Sequence, residues 1–419
     1  MRRGSSVVVV FVVCLGLFAA PVSADDWAQF GGPNRDNKSE ETGLLQAWPE
    51  GGPKLLWTAE GFGEGYSTVT RVGDFMTTMG TEGDKDVVIA LNARDGQILW
   101  KRPIAPKYQE GQGNGPRSTP TIVTGRSGKP ERIVALDPQG QLVCLNADDG
   151  SVIWSVNILE RYQGNNIIWG LSESPLVHEG LVIATPGGSK GSMVALSLED
   201  GTQKWTSQIP GGPQAGYASP LFTNLLGVPQ YITFTSQGVV GVNSKSGQPL
   251  WGNGAASNGT ANCSSPLLYK SSVFFASGYG TGGALLSFKK QGAKISSNEV
   301  YKTKDMENHH GDMVIEGDYL YGSSDPGILT CLEVATGKSM WKSRSVGKGS
   351  LTFADGHLIL RSEKGPIALV EASPKAYVEK GQFEQPSSSG RPTWPHPVVS
   401  DGVLYIRDQD KLFAYDVRK

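Results

Sequence analysis

The chain has 419 residues, a formal net charge of −2 and 19% charged residues, and this balance gives no indication of nucleic-acid binding. Its 55 glycines and 25 prolines favour many short strands and turns and leave little room for long helices. Neither H-E-x-x-H nor C-x-x-C occurs, which disfavours zinc-protease and thiol-redox chemistry.

The N-terminus has the features of a signal peptide at residues 1–24. A pair of arginines precedes the apolar stretch Val7–Ala20, and Val22-Ser23-Ala24 supplies the small residues needed for cleavage after Ala24. The apolar stretch is short for a membrane span, and no later stretch approaches that length. We therefore predict that the mature protein is periplasmic or secreted.

A short motif that ends in tryptophan recurs along the chain. In each copy an apolar strand leads into a turn that contains glycine, and a second strand with Trp follows. Glycine supplies the positive φ that a tight turn needs, so each copy predicts a β-hairpin. The five copies are Arg94–Trp100, Asp148–Trp154, Glu199–Trp205, Lys245–Trp251 and Ala335–Trp341.

A strand that begins with small residues precedes each hairpin. Another strand and a turn separate this start from the hairpin, so the unit is a four-stranded meander of about forty to fifty residues, the interval of a propeller blade. The Trp position is replaced by Tyr301 and Phe383 in two units. The eight starts are Ser67-Thr68, Ser118-Thr119-Pro120, Ser174-Pro175, Ser219-Pro220, Ser265-Pro266, Gly311-Asp312, Ser350-Leu351 and His396-Pro397.

The two ends of this array complement each other. The last unit, His396 to Val417, supplies only three strands, whereas Pro53–Trp57 carries a sixth repeat Trp ahead of the first unit. We predict an all-β fold over residues 53–419, an eight-bladed β-propeller of four-stranded antiparallel blades whose ring is closed by the N-terminal strand. The repeat tryptophans are expected to fill the wedges between blades. Residues 25–52 lie outside the repeats and are expected to form a strap over the last blade.

Residues that no repeat position explains fall in the predicted loops of one face. The loops between blades, and those between the second and third strands of a blade, surround the same mouth of the central channel. Aromatic and ionisable residues there predict a ligand-binding mouth. A structural plug of the channel is the alternative. The candidate residues are Arg117, Trp169, Glu173, Tyr217, His309, His310, Trp394 and His396, with Tyr66 and Cys263 beside them.

The hairpin that follows a Ser/Thr-Pro strand start resembles the PQQ-like repeat of the quinoprotein alcohol dehydrogenase-like propellers. The resemblance extends from Pro53 to the end of the chain. It is specific for fold and not for activity, because this superfamily includes PQQ-dependent dehydrogenases, the propeller lipoprotein of the outer-membrane barrel-assembly machinery and many uncharacterised exported proteins. The chain is most similar to the last group and is similar in size to the barrel-assembly propeller.

The resemblance implies two functions. The favoured one is a noncatalytic exported scaffold that binds a protein, peptide or glycan partner on its loop-rich face, with no catalytic residue assigned. The alternative is a small oxidoreductase that uses PQQ and Ca²⁺, with Trp169 or Trp394 stacked on the quinone, Glu173 on the metal and Arg117 on a PQQ carboxylate. The chain lacks the adjacent Cys-Cys pair and the long inserted loops of the dehydrogenases, and this disfavours the cofactor.

Overall fold

The computed structural model describes residues 26–292 and 294–419, so the predicted signal peptide lies outside the described residues. The described chain forms eight antiparallel sheets of four strands each, and the predicted eight-bladed propeller is confirmed. No helix of this described part is long and apolar enough to cross a membrane. The one α-helix described, α1 (Ile158–Tyr162), lies in the loop between blades 2 and 3.

The strands follow the chain from blade to blade. Strand β1 (Lys54–Glu60) comes first and belongs to the last blade. Blades 1 to 4 consist of β2 (Thr70–Val72), β3 (Phe75–Glu82), β4 (Lys85–Asn92), β5 (Ile98–Pro106); β6 (Thr121–Thr124), β7 (Pro130–Leu136), β8 (Gln141–Asn146), β9 (Val152–Asn157); β10 (Leu176–His178), β11 (Leu181–Ala184), β12 (Met193–Ser197), β13 (Gln203–Ser207); β14 (Leu221–Leu225), β15 (Val228–Thr235), β16 (Gly238–Asn243) and β17 (Pro249–Asn253).

The second half of the ring has the same order. Blades 5 to 7 consist of β18 (Leu267–Tyr269), β19 (Ser272–Ser277), β20 (Gly282–Gln291), β21 (Lys294–Thr303); β22 (Asn308–Glu316), β23 (Tyr319–Ser324), β24 (Ile328–Glu333), β25 (Ser339–Ser343); β26 (Gly349–Ala354), β27 (His357–Ser362), β28 (Ile367–Glu371) and β29 (Glu379–Phe383). Blade 8 contains β30 (Val398–Ser400), β31 (Val403–Asp408) and β32 (Lys411–Asp416), with β1 as its outermost strand.

The N-terminal strand closes the ring, as predicted. Strand β1 pairs antiparallel with β32, and Trp57 lies opposite Ala414. Because a closed ring has no unpaired blade between its two ends, this pairing unites the first and last parts of the chain in one sheet.

The small residues at the strand starts form hydrogen bonds around the channel. The backbone N–H of one blade donates to the side-chain oxygen at the same position of the next blade. This contact explains why Ser or Thr recurs there, and in blade 6 a carboxylate takes the place of the hydroxyl. The pairs are Thr68 with Thr119 (3.2 Å), Thr119 with Ser174 (3.0 Å), Ser174 with Ser219 (2.9 Å), and Ser265 with Asp312 (2.6 Å).

The repeat Trp and the turn glycine form one contact between neighbouring blades. The Trp100 ring of blade 1 lies against Gly150 in the hairpin turn of blade 2, and its Nε1–H donates to the carbonyl oxygen of Ala147 at 3.0 Å. The same arrangement joins Trp154 to Gly201. Side-chain bulk at the turn would displace the ring, so this contact requires glycine for space as well as for positive φ.

Substitution of Gly150 by Ala should therefore destabilise the protein by about 2–4 kcal/mol, from left-handed strain and overpacking together. A Cβ atom there would lie 2.7 Å from Cε3 of Trp100, in a residue with φ of 67°. Gly180→Ala is the matched control, because Gly180 has φ of 74° and open space around its added Cβ. Urea unfolding should show the larger loss for Gly150→Ala, and equal losses would contradict the proposed contact.

Residues 26–38 cross the central channel. The carbonyl of Ala28 accepts from Ile122 N–H of blade 2 at 2.8 Å, and the Arg35 guanidinium donates to the carbonyl of Ser174 in blade 3 at 2.6 Å. Three residues later the chain pairs with Phe353 of blade 7, on the other side of the ring. The segment therefore spans the ring, starting at the β2–β3 turn, where Asp26 accepts from Gly73 N–H at 2.9 Å.

Residues 39–52 run over blades 7 and 8. Trp48 packs edge-on against Phe383 of blade 7, with ring centroids 4.9 Å apart, and Leu44 joins the same core as Tyr415 of blade 8. The expected strap over the last blade describes this half alone. The first half instead follows the channel, because Arg35 finds its buried hydrogen-bond acceptors there.

Candidate ligand-binding mouth

A cavity of about 330 Å³ lies among the loops between blades. Its wall includes seven of the eight predicted site residues, together with Tyr66 and Cys263. The propeller brings these residues together from distant parts of the sequence because each inter-blade loop ends at the channel. The seven are Arg117, Trp169, Tyr217, His309, His310, Trp394 and His396.

Aromatic and imidazole rings form most of this wall. Trp394 lies 4.5 Å from Tyr66 and 5.6 Å from His310, measured between ring centroids. Trp169 and Tyr217 are 5.8 Å apart. Such rings offer broad apolar faces with polar edges, which suits a ligand or a partner side chain that is itself flat.

Three lining residues were missed by sequence reasoning. Tyr279 packs edge-on against His309 and lies in the loop between the second and third strands of blade 5, where the predicted blade order could have located it. Asp312 occupies a strand start that was noted only as a repeat position. Phe30 lies against His396, with 5.0 Å between the centroids, and reaches the cavity only because the strap crosses the channel.

Glu173 does not line the cavity. Its side chain is buried, 2% exposed, and accepts a hydrogen bond of 2.5 Å from the backbone N–H of Thr185. Burial raises the pKa of Glu173 to about 7, although Thr185 and the positive charge of Arg35 oppose the shift. Successive side chains of an extended segment point to opposite sides, so Glu173 faces away from the channel that Ser174 faces.

Two of the predicted histidines belong to an ionic network at the rim. His310 Nε2 is 2.5 Å from the Glu363 carboxylate, which also accepts from Trp394 Nε1–H at 3.0 Å. Lys348 Nζ donates to His309 Nδ1 at 2.7 Å. Burial, with the nearby His310 and Lys348, lowers the pKa of His309 to about 4, so this imidazole is neutral at physiological pH.

Glu363 is the fixed negative charge of this network. Burial alone would raise its pKa, but the hydrogen bond and charge of His310, together with Lys348, outweigh burial and lower the pKa to about 2. An acid with a lowered pKa contributes stability above its ordinary pKa of 4.5 and loses that contribution as the pH falls towards 2.

Substitution of Glu363 by Gln should accordingly destabilise the protein at pH 7 by about 1–3 kcal/mol, the range for a hydrogen bond to a charged group. The difference from wild type should shrink between pH 4.5 and pH 3, because the wild-type carboxylate then begins to take up a proton. Urea unfolding at pH 7, 4 and 3 measures both differences. A difference that stays constant with pH would show that the Glu363 charge does not stabilise the rim.

Arg117 is held by the loop that precedes it. Its guanidinium donates to the carbonyl oxygens of Gly113 (2.8 Å) and Gly115 (2.9 Å) and lies 3.6 Å from the carboxylate of Glu110. It also sits over the ring of Tyr108 at 5.0 Å. These contacts position Arg117 as a support of the aromatic wall and occupy much of its hydrogen-bonding capacity.

The residues present do not fit PQQ with Ca²⁺ as the resemblance implied. Glu173, the proposed metal ligand, is turned away from the cavity and faces Arg35. Within residues 26–292 and 294–419, no group of three or more His, Cys, Asp or Glu side chains could hold a metal ion. Arg117, the proposed partner of a PQQ carboxylate, is already bound to backbone carbonyls.

Comparison with known sequences identifies relatives of two kinds. The chain is 21% identical to the outer membrane protein assembly factor BamB of Shewanella oneidensis over 382 residues, which cover 86% of this chain and 88% of that protein. It is 28% identical to the quinohemoprotein alcohol dehydrogenase ADH-IIG of Pseudomonas putida over 142 residues, which cover 32% of this chain and 19% of the enzyme.

Solved structures of both kinds share the fold. BamB of Moraxella catarrhalis has a TM-score of 0.62 at 13% identity and covers 87% of this chain and 97% of its own. Quinohemoprotein alcohol dehydrogenase ADHIIG of Pseudomonas putida HK5 has a TM-score of 0.66 at 14% identity, covering 94% of this chain and 80% of its own. At these identities the likeness shows the propeller fold alone.

A family model described as outer membrane protein assembly factor BamB matches residues 83–343, which is more than half of the chain. The match includes the Trp-Gly hairpins of blades 2, 3, 4 and 6. The chain therefore belongs to the family of the outer membrane protein assembly factor BamB, the PQQ-like β-propellers related to the quinoprotein alcohol dehydrogenases.

Proposed function

We propose that this protein is a noncatalytic scaffold of outer membrane protein assembly that binds a protein partner on its loop-rich face in the periplasm. The observation that carries the proposal is the mouth cavity, into which loops of several blades direct aromatic and imidazole rings. A mature chain made of the strap (25–52) and the propeller (53–419) presents this mouth as a rigid surface.

The rim of the mouth has the chemistry of a protein interface. Ile168, beside Trp169, is 67% exposed, and Tyr279 is also exposed. Exposed aliphatic and aromatic side chains next to a concave aromatic site are typical of binding surfaces, and large aromatic anchors carry most of the energy of such contacts. The aromatic wall is braced by its own contacts, so little side-chain freedom is lost on binding.

The enzymatic alternative has less support from this site. A quinoprotein oxidoreductase needs a metal ligand and a cationic partner for the quinone carboxylates, and the two side chains assigned to those tasks are engaged elsewhere, Glu173 with Thr185 and Arg117 with backbone carbonyls. The family relationship to an assembly factor spans most of the chain, whereas the sequence match to a dehydrogenase covers a third of it. Both observations favour binding over catalysis.

Site-specific photo-crosslinking in the source cell tests this proposal. A photoreactive amino acid at Ile168 should cross-link to a component of the outer membrane assembly machinery. The control position is Asp95, an exposed residue in the β4–β5 turn on the opposite face. Cross-links of the same component from Asp95 alone would place the binding surface on the wrong face in this proposal, and cross-links of no assembly component from either position would reject the function.

A further inference from the structure

Two imidazole acceptors in the mouth cavity have no hydrogen-bond partner in the described structure. His396 is 7% exposed, and its Nε2 lies 3.2 Å from the carbonyl oxygen of His310, so Nε2 carries the proton and Nδ1 is an acceptor. His310 Nε2 faces the Glu363 carboxylate, and its Nδ1 is likewise buried and unpaired. A ligand that donates two hydrogen bonds would satisfy both atoms, which is worth about 1–3 kcal/mol for each buried group.

The charged groups around the cavity are already paired with one another. Lys348 is 2.8 Å from Asp325. Asp312 accepts hydrogen bonds from both the backbone N–H (2.6 Å) and the hydroxyl (3.1 Å) of Ser265. The Glu363 carboxylate is bound by His310, and Arg117 lies beside Glu110. A charged ligand would meet no unpaired opposite charge, so the site favours a neutral one.

The shape and the walls restrict the ligand further. A cavity of about 330 Å³ is at the lower end of small-molecule sites and holds one ring and not an extended chain. Trp394 and Trp169 provide flat apolar faces. A phenol or an indole would match these faces but has one N–H or O–H donor, whereas the cavity offers two unpaired acceptors.

We infer that the mouth binds a neutral sugar ring, a hexopyranose whose equatorial hydroxyls leave its C–H faces free to pack against tryptophan. Its hydroxyl groups donate to Nδ1 of His310 and Nδ1 of His396. The inference is independent of the proposed protein partner, because it concerns the interior of the cavity, whereas a partner contacts the rim at Ile168 and Tyr279. A free glycoside and the end of a glycan chain present the same ring.

Titration with methyl β-D-glucopyranoside, followed by intrinsic tryptophan fluorescence and by ligand-observed NMR, tests this inference. Saturable binding is expected, and glucuronic acid, which has the same ring with a negative charge, should bind at least tenfold more weakly. Methyl β-cellobioside distinguishes the sources, since binding at least as tight as that of the monosaccharide indicates a glycan end. No saturable change with either glycoside up to its solubility limit would overturn the inference, as would tighter binding of p-cresol, a mimic of a tyrosine side chain.

Two variants separate the acceptors from general folding effects. His396→Phe keeps a planar ring and removes Nδ1, and it should weaken glucoside binding at least tenfold. His178→Phe is the matched control, because His178 stacks on Phe222 in blade 3 and lies outside the mouth. If His396→Phe fails to fold, His310→Phe replaces it as the test. Unchanged glucoside affinity in a folded acceptor variant would refute the assignment, while the cross-linking result from Ile168 would be unaffected.

Discussion

Replacing Arg35 by methionine should lower the free energy of unfolding by about 3–5 kcal/mol, because it removes one partner of a buried charge pair. The guanidinium is buried and donates to the carbonyl oxygens of Ser174 and Pro175, and its charge interacts with that of Glu173. Burial lowers the pKa of Arg35 to about 10, so the group stays charged at neutral pH. Methionine fills a similar volume but leaves those carbonyls and Glu173 without their donor and counter-charge.

The loss should be larger at pH 8 than at pH 5. Glu173 has a raised pKa of about 7, so its contribution is fully present below its ordinary pKa of 4.5 and is lost as the pH rises through 7. Without Arg35 the ionised carboxylate is less favourable still. Urea unfolding of Arg35→Met at both pH values measures this difference.

A double variant and a surface control test the pairing. Arg35→Met with Glu173→Gln should recover part of the loss and abolish its pH dependence, since no buried carboxylate remains. Arg94→Met is the surface control, because Arg94 is 76% exposed and pairs with Asp74, and it should change stability by no more than about 0.5 kcal/mol. Equal losses in the Arg35 single and double variants would mean that Glu173 is not coupled to Arg35.

The blades could be predicted because their information is local and repeated. Each Trp lies a fixed distance after a turn glycine, and the structure shows that the Trp of one blade rests on the glycine of the next. The one departure has a physical reason. Blade 5 has a long hairpin of β20 and β21 in place of the short glycine turn, so Trp251 packs against Phe288 and donates to Gln230 at 2.6 Å.

The strap could not be placed from the sequence. Residues 26–38 have no repeat, and their partners are remote, since Ser174 lies 139 residues from Arg35. The consequence for the site is that Phe30 was missing from it. Glu173 was misplaced for a different reason, and here the repeat held a usable signal. The residue before the strand-start hydroxyl is buried in other blades as well, as at Ser67 and Ser118, which indicates that this position faces away from the channel.

Removing residues 26–60 should abolish cooperative folding, because β1 is the outermost strand of blade 8 and joins the two ends of the ring. Its loss would expose the edge of β32 along Lys411–Asp416 and remove Trp57, which packs on Gly96 of blade 1 and near Tyr405. A large core aromatic alone is worth about 3–5 kcal/mol, and a bare central edge also invites association with other chains. Circular dichroism during heating, together with size-exclusion chromatography, measures both effects.

The matched control removes residues 26–52 and keeps β1. This variant loses Arg35 and the packing of Trp48 on Phe383, so it should be less stable than the full mature chain. It should still unfold in one cooperative transition, since the pairing of β1 with β32 is intact and every blade keeps four strands. If the two truncations melted at the same temperature, closure by β1 would contribute nothing beyond the strap, and the ring would have to be held by contacts between the inner strands of blades 8 and 1.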